Sequence, residues 1–484
     1  MRVRQRRALS QYHHPLTATG SAPRVLCLSA QMCAQRWDAM LMFRALDRNA
    51  APPARYAPVN FLFYLFRRMT LALVLLTALL PIVNLTTGGG SGLFYALLLA
   101  CMLRCFTREG GIQATINSLG DNKAVIAAMS LPLIAIVVSQ LAHGTVHAPS
   151  LERGARFSIA FPIMLGAFLS VDRQALRQAI WGFLVAGWAA TATILWLSLP
   201  NFNRPDTPEY NAVGYGNLLL LTLVLVAYSV RWSLTRHARA EKTFKTITAI
   251  VLFGAFVLTQ TRTGWMAVPF FFAIGLLLFG NFRHPLKLVG VIAVGLALLV
   301  ALGASSQALR ERVSQGFHEV QECQSANTIA DTSVCIRFQL WRASVQMVEA
   351  SPWTGLGSTD KFQNELQARV ATGVVSPFVA SDFGEPHNDM LHMLTSFGLL
   401  GGIALLMVYG VPAIVFLRGF GARHPQALRT AAAMGLALTV GFAIFGLTEL
   451  MFRGMRTISL YVALVAWLIA LNTPDEKASH LARQ

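Results

Sequence analysis

The residues best suited to chemistry lie in the stretch Pro386-His387-Asn388-Asp389, which leads into a long apolar segment. The partial positive charge at a helix N-terminus disfavours an imidazolium, so we expect the His387 ring to be neutral and able to accept a proton at pH 7. A general base needs that property. Asp382, Glu385 and Asp389 surround the ring and could orient or tune it, and Asn388 is a further secondary candidate. A purely structural histidine is the alternative interpretation.

Arginines at two other places could bind an anionic group. Arg262 lies in a short turn between two apolar segments, where a guanidinium and a helix N-terminus together suit a diphosphate. Arg337 opens a stretch, 337–350, with the apolar spacing of an amphipathic helix. We expect Leu340 and Trp341 to anchor that helix in the membrane interface while Arg337, with Arg342 nearby, closes over the diphosphate. Snorkelling to lipid phosphate and a solvated helix face are the respective alternatives.

Further charged residues are secondary candidates. Three arginines could contact phosphates: Arg153, Arg156 and Arg204. A second group, Glu449, Arg453 and Arg456, could form either an ion-pair network or part of an acceptor site. His392 follows His387 by five residues and projects from a different helix face, which argues against a two-histidine metal site. We predict no metal site and no cofactor.

These residues must be positioned by a membrane protein. Of the 484 residues, 55% are hydrophobic and 13% are charged, whereas soluble chains carry about 25% charge. Twelve segments are candidates for spanning helices of roughly 20 residues: 69–86, 91–106, 124–141, 156–171, 176–199, 213–230, 246–260, 264–280, 286–304, 389–417, 427–447 and 457–471. The predicted fold is an all-α polytopic bundle with one long, partly helical loop between helices nine and ten.

The distribution of Lys and Arg indicates the orientation, because positive short loops stay cytoplasmic. With the N-terminus inside, the inner short connections hold fifteen of the 40 basic residues and the outer ones hold six. The net charge of +18 is therefore mostly a property of the cytoplasmic face, and it does not indicate nucleic-acid binding.

The predicted organisation has five parts. Residues 1–58 form a basic, disordered cytoplasmic extension that lacks the apolar run of an export signal. Residues 59–304 contain helices one to nine, 305–388 form the outer loop domain, 389–472 contain helices ten to twelve, and 473–484 form a cytoplasmic tail. Cys323 and Cys335 share the loop, which in a Gram-negative cell faces the oxidising periplasm, so we expect a disulfide, with two free thiols as the alternative.

Three elements, in order along the chain, resemble the bacterial O-antigen ligase and polymerase superfamily. They are Thr261-Arg262-Thr263-Gly264-Trp265, the segment from Arg337 through Pro352 to Gly355-Leu356-Gly357, and the His-Asn-x9-Gly-x-x-Gly pattern at 387–401. The resemblance covers roughly residues 60–472. We expect Gly398, Gly401 and Gly402 of the last pattern to permit close helix packing.

The resemblance implies an enzyme of the inner membrane that uses neither nucleotide nor metal. Such ligases transfer polysaccharide from undecaprenyl diphosphate to a sugar hydroxyl of lipid A-core at the periplasmic face, with inversion. By position, Arg262 and Arg337 would hold the diphosphate and His387 would activate the hydroxyl. O-antigen polymerases and protein O-oligosaccharyltransferases share these motifs, although the short tail favours the ligase. A transporter is the alternative from another class, but the predicted helices are apolar at their centres.

Overall fold

The computed structural model describes residues 57–199, 205, 207, 211–280, 290, 314, 318, 320–321, 323, 331–421 and 423–474. The chain divides into two compact units, Met1–Phe63 and Tyr64–Gln484. The predictions for residues 1–56, for the span at 286–304, for most of 305–330 and for the end of the tail lie outside the described residues. The account below concerns the second unit.

The regular elements of the described residues are all helical. The first group is α1 (Ala57–Thr86), α2 (Gly90–Thr107), α3 (Gly111–Ser118), α4 (Lys123–Ala142), α5 (Ala148–Ala155), α6 (Phe161–Leu169), α7 (Arg173–Arg177), α8 (Ile180–Ser198), α9 (Ala212–Ser229), α10 (Ala238–Leu258) and α11 (Arg262–Phe279). The second group is α12 (Ser333–Ala350), α13 (Lys361–Ala368), α14 (Pro377–Asp382), α15 (Asp389–Gly419), α16 (Gln426–Phe445) and α17 (Met455–Asn472). A π-helical turn, Arg156–Ala160, joins α5 to α6.

Nine helical stretches of the described chain are long and apolar enough to cross a membrane. They coincide with nine of the twelve predicted spans. Two more predicted spans are helical but do not reach that length and apolarity: 156–171 is broken into the π turn and α6, and 246–260 is the apolar part of the more charged α10. The prediction of an all-α polytopic membrane bundle is confirmed.

The centre of the bundle is α17, whose residues from Thr457 to Leu471 are all buried. A helix that is apolar on every side needs protein around it, and α17 packs against α2, α6 and α16. At the periphery, α1 and α2 expose leucines such as Leu71, Leu75 and Leu99. Exposed apolar side chains on long helices are what a lipid-facing surface requires.

Helices α12, α13 and α14 form a small domain with its own apolar core. Leu340, Met347, Phe362 and Leu366 are each almost fully buried in it. The expectation that Leu340 anchors α12 in the membrane interface is therefore wrong, because the loop folds back on itself and buries the Leu340 face of α12 in its own core. Trp341 is half-buried, and its indole N–H donates to the Pro386 carbonyl at 3.0 Å; its place in the membrane interface stays a prediction.

This loop domain is locked onto α15 at Gly398. There the backbone leaves the helical region (φ 68°, ψ −161°), and a Cβ would stand 2.2 Å from the Trp353 carbonyl oxygen. Backbone bonds join the two segments, with the Leu356 amide donating to Thr395 O at 2.8 Å and the Leu399 amide donating to Pro352 O at 2.8 Å. The expectation that Gly398 serves helix packing is wrong: it admits the loop backbone into a break in α15.

The other two glycines of that pattern also serve the break. A Cβ on Gly401 would stand 2.4 Å from the Met393 carbonyl oxygen, and one on Gly402 would stand 2.6 Å from the Leu394 side chain. Both contacts are within α15 itself, so these glycines let the two halves of the broken helix fold close together. The helix-helix packing expected for them is not what the structure shows.

Candidate active site

His387 has a backbone conformation that side chains rarely adopt. Its φ is 48°, in the left-handed region, which costs on the order of 1–3 kcal/mol unless the surroundings enforce it. Its Nδ1 lies 3.4 Å from Oε1 of Glu449, and its ring packs edge-on against Phe383 with centroids 5.7 Å apart. The side chain is about four-fifths buried (18% exposed), so the ring is held while one edge stays accessible.

The neighbours of His387 are each fixed by a bond from outside their own segment. Most of these bonds come from the α16–α17 turn, Gly446–Arg453. Arg453 donates to Glu385 at 2.6 Å, and Asn388 Nδ2 donates to the Leu447 carbonyl at 2.9 Å. Trp341 of α12 holds Pro386 as described above. The unusual conformation of His387 is thus maintained by a clamp that this turn and the loop domain build together.

Asp389 is an anchor and not a modulator of the His387 ring. Its carboxylate is buried, with Oδ1 accepting from the Phe452 amide at 3.2 Å and Oδ2 accepting from the Tyr409 hydroxyl at 2.9 Å. Its own amide donates to the Gly446 carbonyl at 2.8 Å. Oδ1 and the backbone amide therefore dock the α16–α17 turn against the start of α15, while Oδ2 bonds to Tyr409 farther along the same helix.

Asn388 is the N-cap of α15. Its Oδ1 accepts from the Leu391 amide at 2.9 Å while its Nδ2 bonds Leu447. Capping satisfies one of the amides that a helix start leaves without a partner, and it fixes where the helix begins. Asn388 thereby fixes His387 as the last loop residue before the start of α15.

Thr448 connects the two arginine elements to the histidine. Its hydroxyl lies 2.6 Å from the hydroxyl of Thr263, the residue after Arg262, and its carbonyl accepts from Arg337 Nε at 3.4 Å. Since Glu449 follows directly, the three predicted elements all contact one tripeptide, Leu447-Thr448-Glu449. The structure brings this tripeptide together with segments that precede it by 62 to 185 residues in sequence.

Arg262 and Arg337 differ in their surroundings. Arg262 is the first residue of α11 and is exposed; it lies two residues after Gln260, whose φ is 52°. Arg337 is half-buried and also donates from Nη1 to the carbonyl and hydroxyl of Ser333, each at 3.0 Å. Arg342 is exposed and lies about 140° around α12 from Arg337, so the helix does not direct both toward the same point.

The other candidate arginines take varied roles. Arg156 is buried, donates to Glu152 at 2.6 Å and to the Met455 carbonyl at 2.8 Å, and lies over the rings of Phe94 and Tyr95. These contacts hold the start of α17 in place, and they use the Arg156 guanidinium within the helical bundle. Arg204 lies outside the described residues.

The two carboxylates beside His387 respond differently to burial. Burial favours the neutral form of Glu449, but the hydrogen bond and the charge of His387, with the Leu450 amide, outweigh it and lower the Glu449 pKa. Burial raises the pKa of Glu385, and the charges of Arg453 and His387 offset this only in part. Glu449 is therefore the carboxylate that stays ionised next to the imidazole.

The loop domain carries one disulfide, between Cys323 and Cys335. Cys335 is the third residue of α12 and precedes Arg337 by two positions. The bridge therefore fixes the helix end that carries Arg337.

Sequence reasoning left Glu449 undecided and did not single out Thr448. The available signal was an acidic residue in a short outer connection whose other charges are basic. That signal does not say which partner the carboxylate meets, because the partner is 62 residues away.

The family model described as O-Antigen ligase matches residues 247–406, a segment that includes Arg262, Arg337 and His387. Over this segment, about a third of the chain, the sequence is similar to the O-antigen ligase family. The resemblance drawn from the motifs is thereby confirmed, and the long apolar helices of the described residues indicate a multi-pass membrane protein. The α16–α17 turn lies beyond the matched residues.

An uncharacterized protein of Haemophilus influenzae is 23% identical to this chain over 219 residues. The match covers 44% of this chain and 52% of that protein. The chain thus spans about half the length of the curated relative it matches.

Proposed function

We propose that this protein is an O-antigen ligase that transfers polysaccharide from undecaprenyl diphosphate to a sugar hydroxyl of lipid A-core at the periplasmic face of the inner membrane. The observation that carries the proposal is the meeting of His387, Arg337 and the Arg262 turn on Leu447-Thr448-Glu449. One imidazole, an adjacent carboxylate and two guanidinium groups form the set that such a transfer needs.

His387 is the general base of the proposed reaction. When Nδ1 carries the proton and faces Glu449, the lone pair of Nε2 is directed away from the carboxylate and can accept the proton of the acceptor hydroxyl. The hydroxyl oxygen then attacks the anomeric carbon of the donor as its proton moves to Nε2. Glu449 stabilises the resulting imidazolium, as the carboxylate does in a Ser-His-Asp triad.

The bond that breaks joins the anomeric carbon to the diphosphate, and its electron pair stays on the diphosphate oxygen. Arg337 and Arg262 are the groups that neutralise this developing charge, because guanidinium forks suit phosphate oxygens. The amides at the start of α11 add to the attraction at Arg262. Arg342 is retained as a contact farther out on the loop domain. Direct displacement by the hydroxyl inverts the anomeric configuration.

The proposal is tested in a deletion strain complemented with variants. His387→Ala, Arg262→Ala and Arg337→Ala should each leave the protein inserted but stop transfer, so that bare lipid A-core appears while lipid-linked polymer accumulates. Matched controls are Arg418→Ala, in the last turn of α15, and His424→Ala, just beyond that end of the helix; both change the same residue types far along the chain from His387. Wild-type lipopolysaccharide ladders in the His387 variant would refute the assignment.

The same strain separates the alternatives. Core that carries a single repeat in the deletion strain would indicate a polymerase, and loss of glycan from a Ser or Thr of a protein would indicate an O-oligosaccharyltransferase. Unchanged polysaccharide on core with an altered distribution of a solute would indicate a transporter.

A further inference from the structure

Two buried nitrogen atoms of polar side chains lie outside the proposed reaction. A cavity of about 30 Å³ lies among α4, α5, α15 and α17, one helical turn beyond His387. Its walls are mostly apolar, with side chains such as Phe157 and Met393, but His392 and Arg153 also line it. His392 exposes only 5% of its surface.

Each of these two residues has a buried nitrogen that lacks a partner. Neither His392 Nδ1 nor Arg153 Nε finds a hydrogen-bond acceptor or donor among the residues that the structure describes. A buried polar atom without a hydrogen bond costs about 1–3 kcal/mol, so two such atoms on one cavity point to a ligand that serves both.

We propose that this cavity binds a water molecule that bridges Arg153 and His392. The Arg153 Nε–H can only donate, whereas His392 Nδ1 accepts when the proton is on Nε2. A water accepts from the first and donates to the second. An anion such as chloride could accept but could not donate, and its charge would face mostly apolar walls. The volume exceeds the roughly 10–15 Å³ that a buried water occupies.

The bound water acts as a structural link between the bundle and the loop domain. Arg153 also donates from Nη1 to the Thr359 hydroxyl at 3.0 Å, so a water on Nε orients the same guanidinium that holds the loop. His392 belongs to α15, whose first turn follows His387. The site therefore ties α5, α15 and the loop domain together without taking part in transfer.

The test is a thermal-unfolding cycle on the full-length protein in lipid nanodiscs. Arg153→Lys removes Nε but keeps a positive charge, and His392→Leu removes the ring nitrogens. We expect His392→Leu to lower Tm by several degrees in the wild-type background and by clearly less in the Arg153→Lys background, because the bridge is already lost there. Equal losses in the two backgrounds would overturn the proposal.

Three further measurements keep the outcome decisive. His143→Leu is the matched control, since His143 Nδ1 already bonds the Ser139 carbonyl at 2.8 Å, and its Tm change should be the same in both backgrounds. If His392→Leu does not fold, His392→Gln is used in its place. Its Tm should stay close to that of the wild type, and a Tm lowered by several degrees would count against the bridge. A map that resolves waters should show one at hydrogen-bond distance from both atoms; a dry cavity, lipid density or a chloride-dependent Tm would overturn the assignment.

Discussion

Replacing Glu449 by Gln tests the proposed pairing with His387 most directly. The substitution keeps the shape of the side chain but removes the charge that faces Nδ1 at 3.4 Å. Two unit charges at that separation attract by about 5 kcal/mol at an effective dielectric constant of about 20. Because water screens the partly accessible ring, we expect about half of this, roughly 2–3 kcal/mol, to be lost from the transition state, which is a 30- to 150-fold lower kcat.

The assay is transfer from a purified lipid-linked donor to lipid A-core at saturating substrate, with donor binding measured separately. Donor affinity should be unchanged, since the proposed diphosphate contacts are made by Arg262 and Arg337. Asp382→Asn is the matched control. The sequence made Asp382 a candidate to orient the ring, but in the structure its carboxylate is exposed and Oδ2 accepts from the Ser381 hydroxyl, so the substitution should leave kcat unaltered. A Glu449→Gln enzyme with wild-type kcat, beside an inactive His387→Ala enzyme, would show that His387 works without this carboxylate.

The pH dependence supplies a second check on the same pair. The folded-state pKa of Glu449 lies below its ordinary value, so the stabilisation that its ionised form provides is complete above that ordinary value and is lost as pH falls through the folded pKa. Glu449 should therefore not limit activity near neutral pH. A Glu449-dependent loss of activity between pH 6 and pH 8 would contradict this assignment.

Three other substitutions have defined outcomes. Gly398→Ala should lower the free energy of unfolding by more than about 3 kcal/mol, since the new Cβ would collide with the loop backbone at a positive φ. The Tm and the amount of inserted protein measure this loss. Gly410→Ala, which has open space around its Cβ, should leave both unchanged. Trp341→Phe removes one hydrogen bond of about 0.5–1.5 kcal/mol and should lower kcat less than tenfold in the transfer assay. Arg453→Met leaves the buried Glu385 carboxylate without its partner and should reduce the free energy of unfolding by about 1–3 kcal/mol. The loss should grow as pH rises, because more of the carboxylate is then ionised. If the further change Glu385→Gln does not restore the Tm, this explanation is refuted.

Much of the fold could be predicted from local pattern, because a spanning helix satisfies its own backbone within one continuous apolar segment. The bounds of α11, α15 and α17 follow that rule closely. The superfamily was also accessible, since the motifs around Arg262, Arg337 and His387 are short and continuous. Hydropathy predicted one continuous spanning helix at 156–171, but the buried Arg156 and a π turn interrupt that segment.

The clamp around His387 could not be predicted in this way. Which carboxylate contacts the imidazole ring depends on how α16 and α17 pack. Hydropathy predicts that a helix spans the membrane, but it does not specify which helices are its neighbours. Likewise, Leu340 has the spacing of an interfacial anchor, yet only the folding of α12 against α13 decides that it lies in a protein core and not in lipid. Residue types and their spacing therefore determined the membrane fold, the resemblance to the O-antigen ligase superfamily and the candidate site residues, whereas helix packing alone decided that Thr448 and Glu449 join those residues.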